Sequence, residues 1–120
     1  MDVSVVINSA RRFLSDSGAT PRWLDADFFA YAEDAEREII RLRPSLLLDP
    51  AVATDVMRTY VGGYTATNDP MFFDENWKTA ITDYMCFKAL EEDNSDTSNI
   101  LIARECLSRF IDFITGKGSS

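Results

Sequence analysis

The chain has 120 residues, 46% hydrophobic and 27% charged, with 20 acids against 12 bases and a net charge of −8. That length fits one domain with a modest core, and that charge disfavours nucleic-acid binding unless the cations gather on one face. Histidine is absent, which removes Ser-His-Asp and Cys-His constellations, the usual zinc sites and the Glu-x-x-His di-iron pattern.

The first segment, Asp2 to Ser15, carries Val3, Val6, Ile7, Ala10, Phe13 and Leu14 at the three-four spacing of an amphipathic helix. An acid precedes its apolar residues and Arg11 and Arg12 follow them. That order is the reverse of a secretory signal, and no run approaches the roughly 20 apolar residues of a membrane span. The expectation is a protein made in the cytoplasm. Residues 16–21 read as a turn, with Gly18 as C-cap and Pro21 blocking extension.

A second helix is predicted from Asp25 to about Arg43. With Asp25 as N-cap, Leu24 and Phe29 stand at the two positions of a hydrophobic staple. Phe28, Ala32, Ala35, Ile39 and Leu42 make its apolar face, and Pro44 ends it. Glu33–Arg37 and Glu38–Arg41 are spaced to pair on its outer side.

Residues 45–73 admit two readings. Leu46-Leu47-Leu48 is a short apolar run before the turn at Asp49-Pro50. Asp49 as N-cap and Pro50 at the first helical position open a short helix with Val52, Val56 and Tyr60 in line. Alternatively Val56–Val61 and Tyr64–Thr67 form a β-hairpin about Gly62-Gly63, which the Val, Thr and Tyr content favours slightly.

A third helix is predicted from about Asp74 to Glu92. Trp77, Ala80, Ile81, Tyr84, Met85, Phe87 and Leu90 cover over half its circumference, so it is central or is covered by a partner. After the turn at 93–96, a fourth helix, roughly Thr97 to Thr115, is expected to bury Ile100, Ala103, Leu107, Phe110, Ile111 and Ile114, with Leu101, Ile102, Cys106 and Phe113 widening that face. The fold class is therefore all-α: a four-helix arrangement of two antiparallel pairs with an irregular or short β-hairpin excursion between helices two and three. Residues 1–115 form a single domain and 116–120 a flexible tail.

Candidate chemistry is sparse. Glu33, Asp34, Glu36 and Glu38 read as a solvated helix face rather than a catalytic pair. Asp93-Asn94-Ser95-Asp96 lacks the calcium-loop pattern, and Gly62-Gly63 belongs to no phosphate loop. Cys86 and Cys106 are expected to be reduced and packed. Trp23 and Trp77 suit core packing more than a partner hot spot, whereas Phe72-Phe73 suits a local staple or a docking contact equally. No residue is assigned to catalysis, to a cofactor or to a metal. The candidate partner-interface residues are Arg11, Arg12, Trp23, Tyr60, Tyr64, Phe72, Phe73 and Phe113.

The stretch PRWLDADFFAYAEDAEREIIRLRPS, the opening RRFLSDSGATPRWLDADFF and the later DENWKTAITDYMCFKALEEDNSDTSNILIARECLSRFIDFI resemble a family of tailed-phage adaptor proteins, the head-to-tail connectors or head-completion proteins. The likeness lies in helix order and spacing over about two thirds of the chain. Residues 46–73 depart from it, since relatives often carry a longer β-rich insert there. The resemblance implies a non-enzymatic virion protein at the head–tail junction. It would form a homo-oligomeric ring, typically of twelve copies, beneath the portal protein. The ring would extend the DNA channel and give tail or nozzle proteins a platform. DNA would pass an acidic lining without specific binding. The rival readings are a small helical DNA-binding regulator, another phage interaction protein, or an enzyme working through paired carboxylates.

Overall fold

The computed structural model describes residues 1–15, 22–48, 63–92 and 97–116. They form four helices: α1 (Val3–Phe13), α2 (Asp25–Leu42), α3 (Lys78–Glu92) and α4 (Thr97–Thr115), with short 3₁₀ turns at Pro44–Leu48 and Glu75–Trp77. Among the described residues the chain is all-α, and its β structure is limited to one isolated antiparallel bridge between Asp2 and Pro70. Residues 49–62 lie outside the described ones. With them go the Asp49-Pro50 helix start, the hairpin turn at Gly62 and the candidate Tyr60.

α3 is the hub: it packs against α1, α2 and α4. Its partners on α4 run in opposite sequence order, Trp77 against Phe113 and Tyr84 against Phe110, so these two helices are antiparallel. α2 also runs antiparallel to α3, because Tyr31 reaches Glu92 while Arg43 lies over Trp77. α1 rests more extensively on α3 than on α2, so the bundle converges on α3. Ala80, Ile81, Met85, Cys86 and Ala89 are buried accordingly.

The start of α2 is one residue out of the expected frame. Leu24, not Asp25, is the N-cap, and its side chain is 63% exposed. A leucine cannot accept a cap bond, so the capping box keeps only its reverse half: the Leu24 amide donates to Asp27 Oδ2 at 2.9 Å. The staple exists, but it is Trp23 on Phe28, with ring centroids 6.4 Å apart and both residues buried. Behind it the apolar stripe of Phe28, Ala32, Ala35 and Ile39 is fully buried, together with Tyr31 and Glu36. Pro44 stops the helix as the sequence requires.

α1 is closed at both ends without a glycine. At its C-terminus Ser15 takes the left-handed step, φ 56°, three residues before Gly18, which lies outside the described residues. At its N-terminus Asp2 makes no side-chain cap bond. The free amides of Val3 and Ser4 donate instead to the carbonyls of Asp69 and Thr67, at 3.0 and 2.9 Å, and Met71 N–H donates to Met1 O at 2.9 Å. A helix start leaves orphan amides that something must satisfy, and here the loop before α3 does so. That loop is held by Asp69, whose carboxylate accepts from Thr65 and Ala66 amides at 2.8 and 3.0 Å.

α3 is entered through Asp74, which caps Asn76 N–H at 3.0 Å and begins the 3₁₀ turn. α4 has the expected limits, but its buried stripe is narrow: Ala103, Cys106, Phe110 and Ile114. Ile100 and Ile111, expected inside, are 37% and 41% exposed, because α4 packs on α3 as its one major neighbour.

Candidate protein-interaction surface

α4 carries more apolar surface than α3 can cover, and the surplus lies on two opposite flanks. On one flank Ile102 is 38% exposed beside Phe13 of α1, 49% exposed. With Leu14, Trp23 and Leu90 they line a cavity of about 390 Å³ where the end of α1 meets the start of α4. On the other flank Leu107 and Ile111 line a shallow groove of about 270 Å³ between Arg104 and Asp112. Ile100 lies on the same edge by helical spacing. Leu101, on the outward side of the helix, is 65% exposed.

The first flank is braced by charge. Arg109 lies 5.9 Å over the Phe13 ring, 3.2 Å from Asp83 Oδ1 and 3.4 Å from Cys106 Sγ. Burial raises the Asp83 carboxyl above its ordinary range, and the facing guanidinium only partly opposes this. Cys86 and Cys106 are both free, buried, and held protonated by desolvation.

The candidate interface residues do not form one patch. Trp23 and Phe73 are buried at 8% and 6% exposure and serve the core. Arg11 is a clasp: it donates to Trp23 O and to Asp25 Oδ1, both at 2.8 Å, and stands 4.7 Å over the Phe28 ring. Tyr64 and Phe72 are half-buried, and the Tyr64 hydroxyl donates to Glu36. Phe113 is 44% exposed with its ring 5.5 Å from Trp77, and Arg12 is exposed. Among the described candidates, these last two are the exposed ones. Sequence reasoning placed Leu101 and Ile102 on the apolar face of α4 but did not single them out; their spacing outside the 103–106–110–114 stripe is the signal.

The described carboxylates are engaged by separate partners. Glu36 is fully buried and accepts from the Tyr64 hydroxyl and, at 3.3 Å, from the Phe73 amide. Glu92 accepts from Tyr31, whose hydroxyl is pushed up by burial and by that carboxylate. Glu33 is lowered by Arg37 and by the Gly63 amide. Glu33 with Arg37 and Glu38 with Arg41 form the expected pairs along α2. Among the described residues no group of three or more Cys, Asp or Glu side chains is placed to hold a metal ion. Nor is any described helix long and apolar enough to cross a membrane. Comparison with protein-family models, with curated proteins and with solved structures finds no match for this chain.

Proposed function

We propose that this chain is a structural adaptor of the head-to-tail junction of tailed phages, assembling as a ring against the portal protein. The observation that carries the reading is the pair of apolar flanks on α4, Phe13–Ile102 on one side and Ile100–Leu107–Ile111 on the other. Two different sticky surfaces on opposite sides of one element are what a head-to-tail contact needs, and such contacts close into rings when the rotation allows. Exposed patches of this kind mark association surfaces more than substrate sites. The resemblance of residues 11–45 and 74–114 to connector proteins points to a portal as the partner. The net charge of −8 suits a channel wall that DNA passes without releasing counterions.

The test is assembly. The chain is mixed with a portal ring from the same genome and followed by sedimentation and electron microscopy. The expected product is a ring of adaptor copies on the portal, lost in Phe13→Asp and Ile102→Asp variants that still fold. A folded chain that never joins the portal would sink the reading. Tight, salt-sensitive binding to duplex DNA in a gel shift would replace it with the regulator reading.

A further inference from the structure

Both cysteines of the chain lie in the seam between α3 and α4. Three contacts across that seam fix which residues face each other: Trp77 meets Phe113, Asp83 meets Arg109 and Tyr84 meets Phe110. In that frame the buried residues pair in layers. Reading α3 forward from Thr82, steps of four and three lead to Cys86 and Ala89. Reading α4 backward from Phe110, steps of four and three lead to Cys106 and Ala103. All six are buried, so Thr82 falls on Phe110, Cys86 on Cys106 and Ala89 on Ala103. Arg109 confirms the middle layer. It holds Asp83, one turn before Cys86, at 3.2 Å and touches Cys106 Sγ at 3.4 Å. Cysteine and alanine in adjacent layers let helix axes approach to roughly 8 Å, and with Cα atoms about 2.3 Å from each axis the facing Cα atoms come within the roughly 4.4–6.8 Å that a disulfide spans. After burial, the Cys106 sulfur is the next cause that raises the Cys86 thiol, as a close neighbour would.

We propose that Cys86 and Cys106 are a redox pair that closes into a reversible disulfide, clipping α4 to α3. A reducing compartment keeps the two as thiols, the state of this structure, and an oxidising one closes them. The co-reactant is a small disulfide such as glutathione disulfide, admitted when α4 opens locally from α3. The Cys106 thiolate, favoured by the guanidinium of Arg109 beside it, attacks one glutathione sulfur and expels a glutathione thiolate. Cys86 then loses its proton and attacks the Cys106 sulfur of the mixed disulfide, expelling the second glutathione. Two electrons and two protons pass from the cysteines to one glutathione disulfide, which leaves as two glutathione thiols. α3 is the one major neighbour of α4, so a single bond here fixes the helix that carries Leu101, Ile102 and Ile111. The clip belongs to the seam and is independent of what the flanks of α4 bind.

Treating the folded chain in native buffer with a strongly oxidising mixture of glutathione disulfide and glutathione tests the clip, read by free thiols, intact mass and peptide mapping. The wild-type chain should lose both thiols and two hydrogens of mass while remaining a single chain, with Cys86 joined to Cys106. Dithiothreitol should restore both thiols. The bond closes a loop of about 20 residues, so the oxidised form should melt roughly 10 °C above the reduced form. A variant carrying Cys86→Ala and Thr82→Cys, its fold checked by circular dichroism, moves the thiol one turn out of the facing layer. That offset exceeds the roughly 7 Å limit between Cα atoms, so the variant should keep both thiols in the same mixture. Wild-type thiols left untouched, sulfurs capped separately by glutathione, disulfides between chains, or a bond that forms only in urea would overturn the pairing. So would an oxidised form that melts no higher, or an offset variant that closes as readily as the wild type.

Discussion

The Tyr64 hydroxyl donates to the buried carboxylate of Glu36 and ties the loop before α3 to the middle of α2. The same hydroxyl accepts from Phe72 N–H at 3.3 Å, and the other oxygen of Glu36 accepts from Phe73 N–H at 3.3 Å. One carboxylate thus organises the backbone that leads into α3. A buried acceptor left without one of its donors, or a donor without its acceptor, costs about 1–3 kcal/mol. Tyr64→Phe should lower the unfolding free energy by about that amount in urea titration. Glu36→Leu should cost more, because it strips the Tyr64 hydroxyl and the Phe73 amide of their acceptor inside the protein. A Glu36→Leu variant as stable as the parent would show that this network is dispensable.

Arg11 makes three contacts with one group: the Trp23 carbonyl, the Asp25 carboxylate and the Phe28 face. Only the planar guanidinium can do this, since a lysine ammonium has no fork and stacks poorly. Arg11→Lys and Arg11→Ala should each destabilise by about 1–2 kcal/mol, through loss of the join between α1 and the start of α2. Asp25 has a side chain 55% exposed against 13% for Arg11, so Asp25→Ala should cost well under about 1 kcal/mol. Equal losses at the two positions would mean that the ion pair, and not the clasp, is what matters.

Local patterns were readable where a single helix decides the outcome. The stripe of α2, the limits of α4 and the Glu33–Arg37 pair each depend on residues within one or two turns of each other. What escaped depends on distant partners. Asp25 was the obvious cap for α2, but its carboxylate is engaged by Arg11 from another helix, and the cap moved back one residue. The amides of α1 are capped by residues more than sixty positions away. Glu36 was read as one of a run of solvated acids, although it stands four residues after Ala32 and three before Ile39, inside the buried stripe. The spacing held that information, and the charge obscured it. The two flanks of α4 were legible as apolar. That they stay uncovered follows from α3 being too narrow a partner, which no pattern within α4 reveals.

Asp69 holds the loop that caps α1. Its carboxylate is lowered below the usual range by the Thr65 and Ala66 amides it accepts from, and its own carbonyl accepts from Val3 N–H. Asp69→Ala should loosen the loop and, through it, the first turn of α1. Hydrogen exchange should then quicken at Val3, Ser4 and Met71 while the amides of α3 keep their protection. Unchanged exchange at Val3 and Ser4 would show that the backbone bridge stands without the Asp69 side chain.

Alkali should find a weak point at the α3–α4 contact. Cys86 is 1% exposed and Cys106 fully buried, and desolvation raises both thiols above their ordinary value. The folded state therefore keeps protons that the unfolded chain releases near pH 8.5. Stability from these groups is complete below about pH 8.5 and declines as pH rises toward the raised folded values, by up to about 1.4 kcal/mol per pH unit for each thiol. Tyr31, also raised, adds to the decline from about pH 10. Cys86→Ala opens a small cavity and lowers stability at neutral pH, yet its stability should fall less steeply between about pH 8.5 and 10 than that of the parent. Parallel stability curves for parent and variant across that window would place the alkaline sensitivity elsewhere in the chain.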